Sequence, residues 1–284
     1  MSQARLIKDR RLPIWGRPLR AAYRMVRSAL PSRQALTQVR VRGTDYLVWA
    51  NEDIGKKLIL LRSFEPDEIR AFERLVRPGD VCFDVGGNVG FYALNLARMA
   101  TAAGQVFSFE PLRRNALVIE LAAPLNGFDT IEVVETALSD RDDVFVPLEV
   151  PAGDGAYAHL STDMDTGGAD RAQVRCMTID RFVADRGLGR VDVMKVDVEG
   201  AEHMVLAGAR GMLADEGRRP RVIMAELIDD YLARFDSSIE AVIKDLASFG
   251  YVPHRVVAGG QLRPFTAADH DQVFNVFFLT EGGK

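Results

Sequence analysis

Cysteine is nearly absent from this 284-residue chain, which contains only Cys82 and Cys176. Two are too few for a disulfide framework, and Cys82 falls inside an apolar strand pattern, where it reads as a small buried hydrophobe. No run of eighteen or more apolar residues occurs, so no segment is expected to span a bilayer. Met1 to Arg20 is interrupted by Arg5, Lys8, Arg10, Arg11 and Arg17, and lacks the apolar core of a secretory leader. A reducing, cytoplasmic setting is the expectation. Internal repeats and low-complexity tracts are also missing. Histidine is scarce, and His159, His254 and His270 show no ligand-like spacing.

Charge is present but unevenly placed. The net charge is -4, yet Met1 to Arg33 holds nine Lys or Arg against the single acid Asp9. Within this arm Leu19, Tyr23, Val26 and Leu30 fall on one helical face, with Arg20, Arg24 and Arg27 off it. The pattern suits either a basic amphipathic helix at an anionic membrane surface or a helix whose apolar stripe packs on the main domain. The second is favoured, because such stripes are usually core contacts.

The remaining pattern gives three parts: a basic helical arm over 1–35, a β-hairpin and helix subdomain over 36–77, and an α/β domain over 78–284. Gln38 to Val41 and Tyr46 to Trp49 alternate around Gly43-Thr44, which predicts a hairpin, and Leu58 to Leu61 is expected to add a third strand. Pro66 to Val76 has helical spacing and stops at Pro78-Gly79-Asp80. From Val81 the pattern alternates. Strands are expected at Val81–Val85, Gln105–Phe109, Ile131–Val134, Val191–Val196 and Arg221–Leu227, with helices at Asn88–Met99, Leu112–Leu125, Ala201–Leu213 and Ile239–Phe249. Val144–Val150 and Val174–Met177 look extended, and the Gly- and Asp-rich Pro151–Asp170 between them reads as a mobile loop. Two closing β segments, Tyr251–Val257 and Val273–Leu279, lack a helix between them and are expected to pair antiparallel. This is a doubly wound, mostly parallel α/β sheet.

The chemistry concentrates after the first core strand, in Asp84-Val85-Gly86-Gly87-Asn88-Val89-Gly90. Glycines there allow a sharp turn and close approach to a ligand at a helix N-terminus, the usual place for a nucleotide. Glu110 ends the second strand, placed to accept hydrogen bonds from a ribose hydroxyl pair. Gly86, Gly87 and Gly90 do not fit G-x-G-x-x-G, and the carboxylate of Asp84 would repel a pyrophosphate. It would attract the ammonium and sulfonium of S-adenosylmethionine. In a purely structural role Asp84 would cap the following helix. After the third strand, Thr136-Ala137-Leu138-Ser139-Asp140 occupies the position of an adenine edge, or of a plain turn.

A second constellation, Lys195-Val196-Asp197-Val198-Glu199-Gly200-Ala201-Glu202-His203, sits at the carboxyl end of the fourth core strand. Dense charge on an apolar strand is costly unless paired or functional. Methyl transfer to a hydroxyl needs in-line approach and removal of a proton. Asp197, Glu199 or His203 could take that proton, with Lys195 lowering an acid's pKa or orienting the acceptor. As structural residues, Glu199 and Glu202 would favour a helix N-terminus and His203 would sit on the surface. Glu226, closing the fifth strand, could join the acceptor site or anchor a loop. Asp197 and Glu226 could hold magnesium, but the ligand set is incomplete and no metal is expected.

These motifs resemble the FkbM family of S-adenosylmethionine-dependent methyltransferases from about Ser63 to Leu227. The carriers are Arg77-Pro78-Gly79-Asp80 leading into Asp84–Leu94, then Phe109-Glu110-Pro111, Ala137–Asp140 and, most specifically, Lys195–Glu202 followed by Leu206 and Gly208. Gly87 departs from the pattern, since the family more often has alanine there. The resemblance implies a seven-stranded, Rossmann-like class I methyltransferase sheet. It implies cofactor contacts from Asp84, Gly86, Gly87, Asn88, Gly90, Phe91, Glu110, Pro111, Ala137 and Leu138, and catalytic roles among Asp197, Lys195, Glu199 and His203. It further implies O-methylation of a small-molecule or glycan hydroxyl in a glycolipid, polysaccharide or secondary metabolite.

Three rivals remain. A nicotinamide-dependent dehydrogenase is opposed by Asp84 and the missing G-x-G-x-x-G. A methyltransferase acting on nucleic acid or protein is opposed, for nucleic acid, by the acidic main body and by the lack of an Asn-Pro-Pro-aromatic segment after the fourth strand; no nucleic-acid partner is expected. A non-catalytic binding module is the third. Membrane contact through the basic arm is the alternative to its packing on the main domain.

Overall fold

The computed structural model describes residues 35–150, 158–160, 170–269 and 275–281. The basic arm with its apolar stripe lies outside the described residues, as does most of the expected Pro151–Asp170 loop. The first elements are β1 (Leu36–Val41) and β2 (Thr44–Trp49), an antiparallel pair in which Val41 faces Thr44. Arg42 and Gly43 turn the chain with positive φ at both positions (50° and 86°), the geometry that matches strand twist in a two-residue hairpin. Two helices follow, α1 (Asp53–Leu61) and α2 (Pro66–Leu75), the latter with proline in its first turn.

Helix α1 replaces the third strand expected at Leu58–Leu61. A short continuous apolar run is the same in a buried strand and a buried helix. Here the run continues a helix that begins at Asp53, within which Asp53 and Lys57 lie one turn apart and pair (2.7 Å).

Beyond Pro78 the chain alternates β3 (Val81–Val85), α3 (Phe91–Ala100), β4 (Gln105–Phe109), α4 (Arg113–Leu125) and β5 (Ile131–Val134). It then leaves the main sheet for β6 (Ala137–Leu138), β7 (Val144–Val150), β8 (His159–Leu160) and β9 (Asp170–Met177). After α5 (Ile179–Asp185) it returns with β10 (Val193–Val196), α6 (Glu202–Ala207), α7 (Arg210–Ala214), β11 (Val222–Glu226), α8 (Asp229–Leu232) and α9 (Ile239–Ser248), and ends with β12 (Val252–Val257), β13 (Gln261–Pro264) and β14 (Asn275–Leu279). The helix expected over Ala201–Leu213 is thus two short helices, broken at Gly208 and Ala209.

The main sheet has the order β13-β12-β14-β11-β10-β3-β4-β5. β11, β10, β3, β4 and β5 run parallel, while β14, β12 and β13 are joined antiparallel. The seven strands expected are all present, and β13 adds an eighth at the edge by turning back on β12. Each parallel strand is a short apolar run because both its faces are covered. Helices α3 and α4 pack one face; on the other, Phe83, Phe107, Phe109 and Phe182 meet edge to face with centroids 4.8–5.7 Å apart. β6 to β9 form a separate four-stranded sheet, in the order β6-β9-β7-β8. The expected loop therefore contains a described two-residue strand, His159–Leu160, paired with Leu148 and Glu149.

After β3 the chain steps one way, to β4 and β5; when it returns, β10 lies on the other side of β3. The carboxyl ends of β3 and β10 are the place where a doubly wound sheet leaves a crevice. Among the described residues, no helix is long and apolar enough to cross a membrane.

Candidate active site

The crevice is lined by the loop after β3, the end of β4 and the end of β10. The β3–β10 register sets Asp84 beside Lys195, and both are buried. The Lys195 ammonium donates to the carbonyl oxygens of Gly86 (2.8 Å) and Val85 (3.4 Å). It lies 3.4 Å from Asp84 Oδ1 and 3.8 Å from Asp197 Oδ2, with the Tyr92 ring 5.3 Å away. Burial alone would push the lysine down, but the charges of Asp84, Asp197 and Glu65 outweigh it and hold Lys195 above its usual range. Burial pushes the Asp84 carboxyl up, against the pull of Lys195 and Ser108. Lys195 is therefore a tether between the β10 edge and the loop. Asp84 sits beneath the loop, off the cavity wall.

The loop holds its own shape. The amides of Gly86 and Gly87 both donate to the Phe109 carbonyl (3.0 Å each), that of Gly90 donates to Gly87 (2.8 Å), and that of Asn88 donates to Glu110 Oε2 (2.7 Å). Gly86 has φ +77°, and a methyl group there would collide with the backbone carbonyl of Asp197. A methyl at Gly87 would collide with Ser108 Oγ, whose hydroxyl donates to Asp84 (3.3 Å). Ser108 thus fills the space that an alanine side chain at position 87 would need.

Glu110 is buried and accepts from two amides, Asn88 at Oε2 and Leu112 at Oε1 (2.8 Å). Burial raises its carboxyl to about 7, against those two hydrogen bonds. Beside it Phe91, Pro111, Thr136, Ala137 and Leu138 form a mainly apolar wall; Ala137 and Leu138 are held there by pairing with Cys176 and Met177 of β9. Gly90 packs against Ile119 and is not part of the wall.

At the end of β10, Asp197 and Glu199 reach the cavity. With Glu226 at the end of β11 they place three carboxylate oxygens within 4.8 Å of one another. Hard oxygen donors of this type suit a divalent cation, although three are half the set magnesium takes. Glu202 is turned inward instead. Its Oε1 accepts from the amides of Val198 (3.0 Å) and Gly200 (3.1 Å), and burial raises it to about 7. His203 lies off the cavity wall, 6.3 Å from the Phe235 ring, with its pKa lowered by partial burial. The structure thus brings together Lys195, Asp197 and Glu199 of the expected catalytic group and leaves His203 apart.

The rest of the wall comes from regions that the sequence did not mark. Helix α1 contributes Asp53, Ile54 and Lys57, with Phe64 after it, and the small sheet contributes Leu148, His159 and Leu160. His159 stands opposite Glu149 on β7, Nε2 4.0 Å from the carboxylate. For α1, the i,i+4 pair of opposite charges inside an apolar stretch was the available signal. For β8, flanked by Gly- and Asp-rich chain, there was none.

Comparison with known proteins identifies the family. The methyltransferase FkbM domain model matches residues 84–253, more than half of the chain. The 31-O-demethyl-FK506 methyltransferase FkbM of Streptomyces tacrolimicus is 28% identical over 211 residues, covering 62% of this chain and 74% of that protein. The 2-O-methyltransferase NoeI of Sinorhizobium fredii (strain NBRC 101917 / NGR234) is 29% identical over 192 residues, covering 63% and 75%. A crystal structure of a methyltransferase FkbM from Methylobacillus flagellatus KT aligns with 79% of this chain at 15% identity and a TM-score of 0.46, and the present chain covers 54% of its length. The chain belongs to the FkbM family of methyltransferases.

Proposed function

We propose that this protein is an S-adenosylmethionine-dependent O-methyltransferase whose acceptor is a hydroxyl of a glycan, glycolipid or secondary metabolite. The observation that carries the cofactor reading is the state of the loop. With the amides of Gly86, Gly87, Asn88 and Gly90 engaged within the protein, the loop offers little to a pyrophosphate, which needs such donors. The wall is instead rich in carboxylates, with Asp53, Glu110, Asp197 and Glu199, an environment for cationic rather than anionic groups.

The donor set fits this cofactor part by part. Glu110, already oriented by two amides, keeps lone pairs for a ribose hydroxyl pair, and the Pro111–Ala137–Leu138 wall suits a flat base. When bound, the cofactor supplies a methyl group on a sulfonium. Asp197 and Glu199 would face that charge and orient the acceptor hydroxyl, while Lys195 holds Asp197 and the loop at a fixed separation. Water would be excluded by the apolar side chains of Leu148, Leu160 and Phe64. The hydroxyl acceptor is inferred from the 2-O- and 31-O-methyltransferase relatives. His159, on the wall that the cofactor loops do not build, lies where an acceptor would pass.

Titration calorimetry with S-adenosylhomocysteine and with NADH tests the cofactor. Binding of the first alone is expected, and binding of NADH alone would overturn the reading. Mass spectrometry of lipid-linked sugars and secondary-metabolite alcohols after incubation with the enzyme and cofactor is expected to show a methyl gain on oxygen.

A further inference from the structure

Beyond adding Asp53 to the carboxylates of the wall, the buried ion pair of α1 has no role in the site described so far. Lys57 Nζ lies 2.7 Å from Asp53 Oδ2, both side chains are more than nine-tenths buried, and both line the cavity shared with Gly86, Gly87, Asn88 and Asp197. The ammonium also sits 5.0 Å from the Phe64 ring centroid. A buried pair of this kind is weak evidence for stability, because desolvation offsets most of its attraction. Its position on a cavity wall calls for a ligand-based explanation.

Resting on the cofactor reading above, we propose that Lys57 and Asp53 bind the amino-acid end of S-adenosylmethionine, Lys57 taking the α-carboxylate and Asp53 helping to hold the α-ammonium. Three observations converge on this assignment. A carboxylate entering the crevice needs a cation or free amides, and the Gly86, Gly87, Asn88 and Gly90 amides are engaged within the protein. Lys195, the other lysine on the wall, is directed under the loop at two carbonyl oxygens and two aspartates. Among the described wall residues there is no arginine, so Lys57 is the remaining permanent positive charge. An ammonium carries three donors, and the pair with Asp53 uses one. A zwitterion docking on an ion pair also adds no net charge to a buried place, so the desolvation cost of a lone carboxylate is avoided.

The test compares two ligands that differ in that end alone. S-Adenosylhomocysteine keeps the amino-acid tail; 5′-methylthioadenosine keeps the nucleoside and thioether and lacks it. Calorimetry on the full chain should show the wild type binding the first more tightly. Lys57→Met, which preserves the stem against Phe64, should weaken S-adenosylhomocysteine about 10- to 100-fold, the loss of a charge-assisted hydrogen bond. Binding of 5′-methylthioadenosine should stay within about twofold, which also shows that the variant is folded with an intact cavity. Asp53→Asn should produce a smaller loss with the same selectivity. Equal weakening of both ligands, unchanged binding of both, or a wild type that does not favour the longer ligand would each overturn the assignment. A wild type that binds neither ligand would overturn the cofactor reading itself, and this assignment with it.

Discussion

In the wall built by β3, β4 and β10 the loop after β3 presents main chain. Its amides at Gly86, Gly87, Asn88 and Gly90 are engaged within the protein, Lys195 ties its two edges together, and Gly86 is required by a neighbouring backbone atom. The wall supplied by α1 and the small sheet presents side chains: Lys57 and Asp53, Phe64, Leu148, His159 and Leu160. The first wall and the small sheet lie within the segment matched by the family model, whereas α1 lies before it. At Gly86 and Gly87 an added methyl would collide with a neighbouring carbonyl or hydroxyl, so the backbone surface tolerates little substitution there. A surface made of side chains can be rewritten residue by residue. Within the side-chain wall, Leu148, His159 and Leu160 of the small sheet are the part left to meet an acceptor, since Lys57 and Asp53 are assigned above to the cofactor.

That contrast can be broken most severely at Gly86. Gly86→Ala must adopt positive φ and displace the Asp197 carbonyl, so thermal denaturation should show a loss of about 3 kcal/mol or more, the upper range for one residue. S-Adenosylhomocysteine binding should disappear with it. A Gly86→Ala protein of wild-type stability and affinity would show that the backbone wall is softer than described.

Glu110 comes next. Glu110→Ala leaves the buried amides of Asn88 and Leu112 without acceptors, and calorimetry should show affinity for S-adenosylhomocysteine down about 100-fold or more. The carboxyl also sets a pH dependence. A diol donates best to the ionised form, and burial holds Glu110 at about 7, so affinity should fall as pH drops through that value. In the empty protein the sign is opposite. Between the ordinary carboxylate range and pH 7 the unfolded chain releases this proton and the folded chain keeps it, so the Glu110 contribution to stability declines as pH rises through that window. Glu110→Gln should flatten both profiles.

On the reaction edge, Asp197→Asn should lower turnover about 100-fold, while S-adenosylhomocysteine affinity stays within about threefold. Equal losses in both would place Asp197 with the cofactor rather than the acceptor. The smallest effects separate the two histidines. His159→Ala should reduce turnover about tenfold with unchanged cofactor affinity, the low end for a positioned polar group. His203→Ala, off the wall, should leave turnover within about twofold.

Much of the backbone wall could be read in advance, because its signals are local. Val81–Val85 and Gln105–Phe109 are short apolar runs closed by glycine or acid, and the loop glycines and Glu110 stand at fixed distances from them. What could not be read depends on register or on remote packing. Asp84 was expected to face a cationic cofactor, but the β3–β10 register puts Lys195 against it, and no local pattern encodes which residues of two distant parallel strands become neighbours. Helix α1 read as a strand because Leu58–Leu61 is ambiguous by itself. His159 has no ligand-like spacing to the other histidines, and pairing of its short strand with β7 is what brings it to the cavity.

The internal bonding of the Gly86–Gly90 loop has a thermodynamic consequence. A loop whose amides at Gly86, Gly87, Asn88 and Gly90 already have partners lost much of its conformational entropy when the protein folded, so a ligand entering beside it has little left to order there. Association should then carry the small entropic penalty and modest heat-capacity change of a preformed cleft, without the signature of coupled folding.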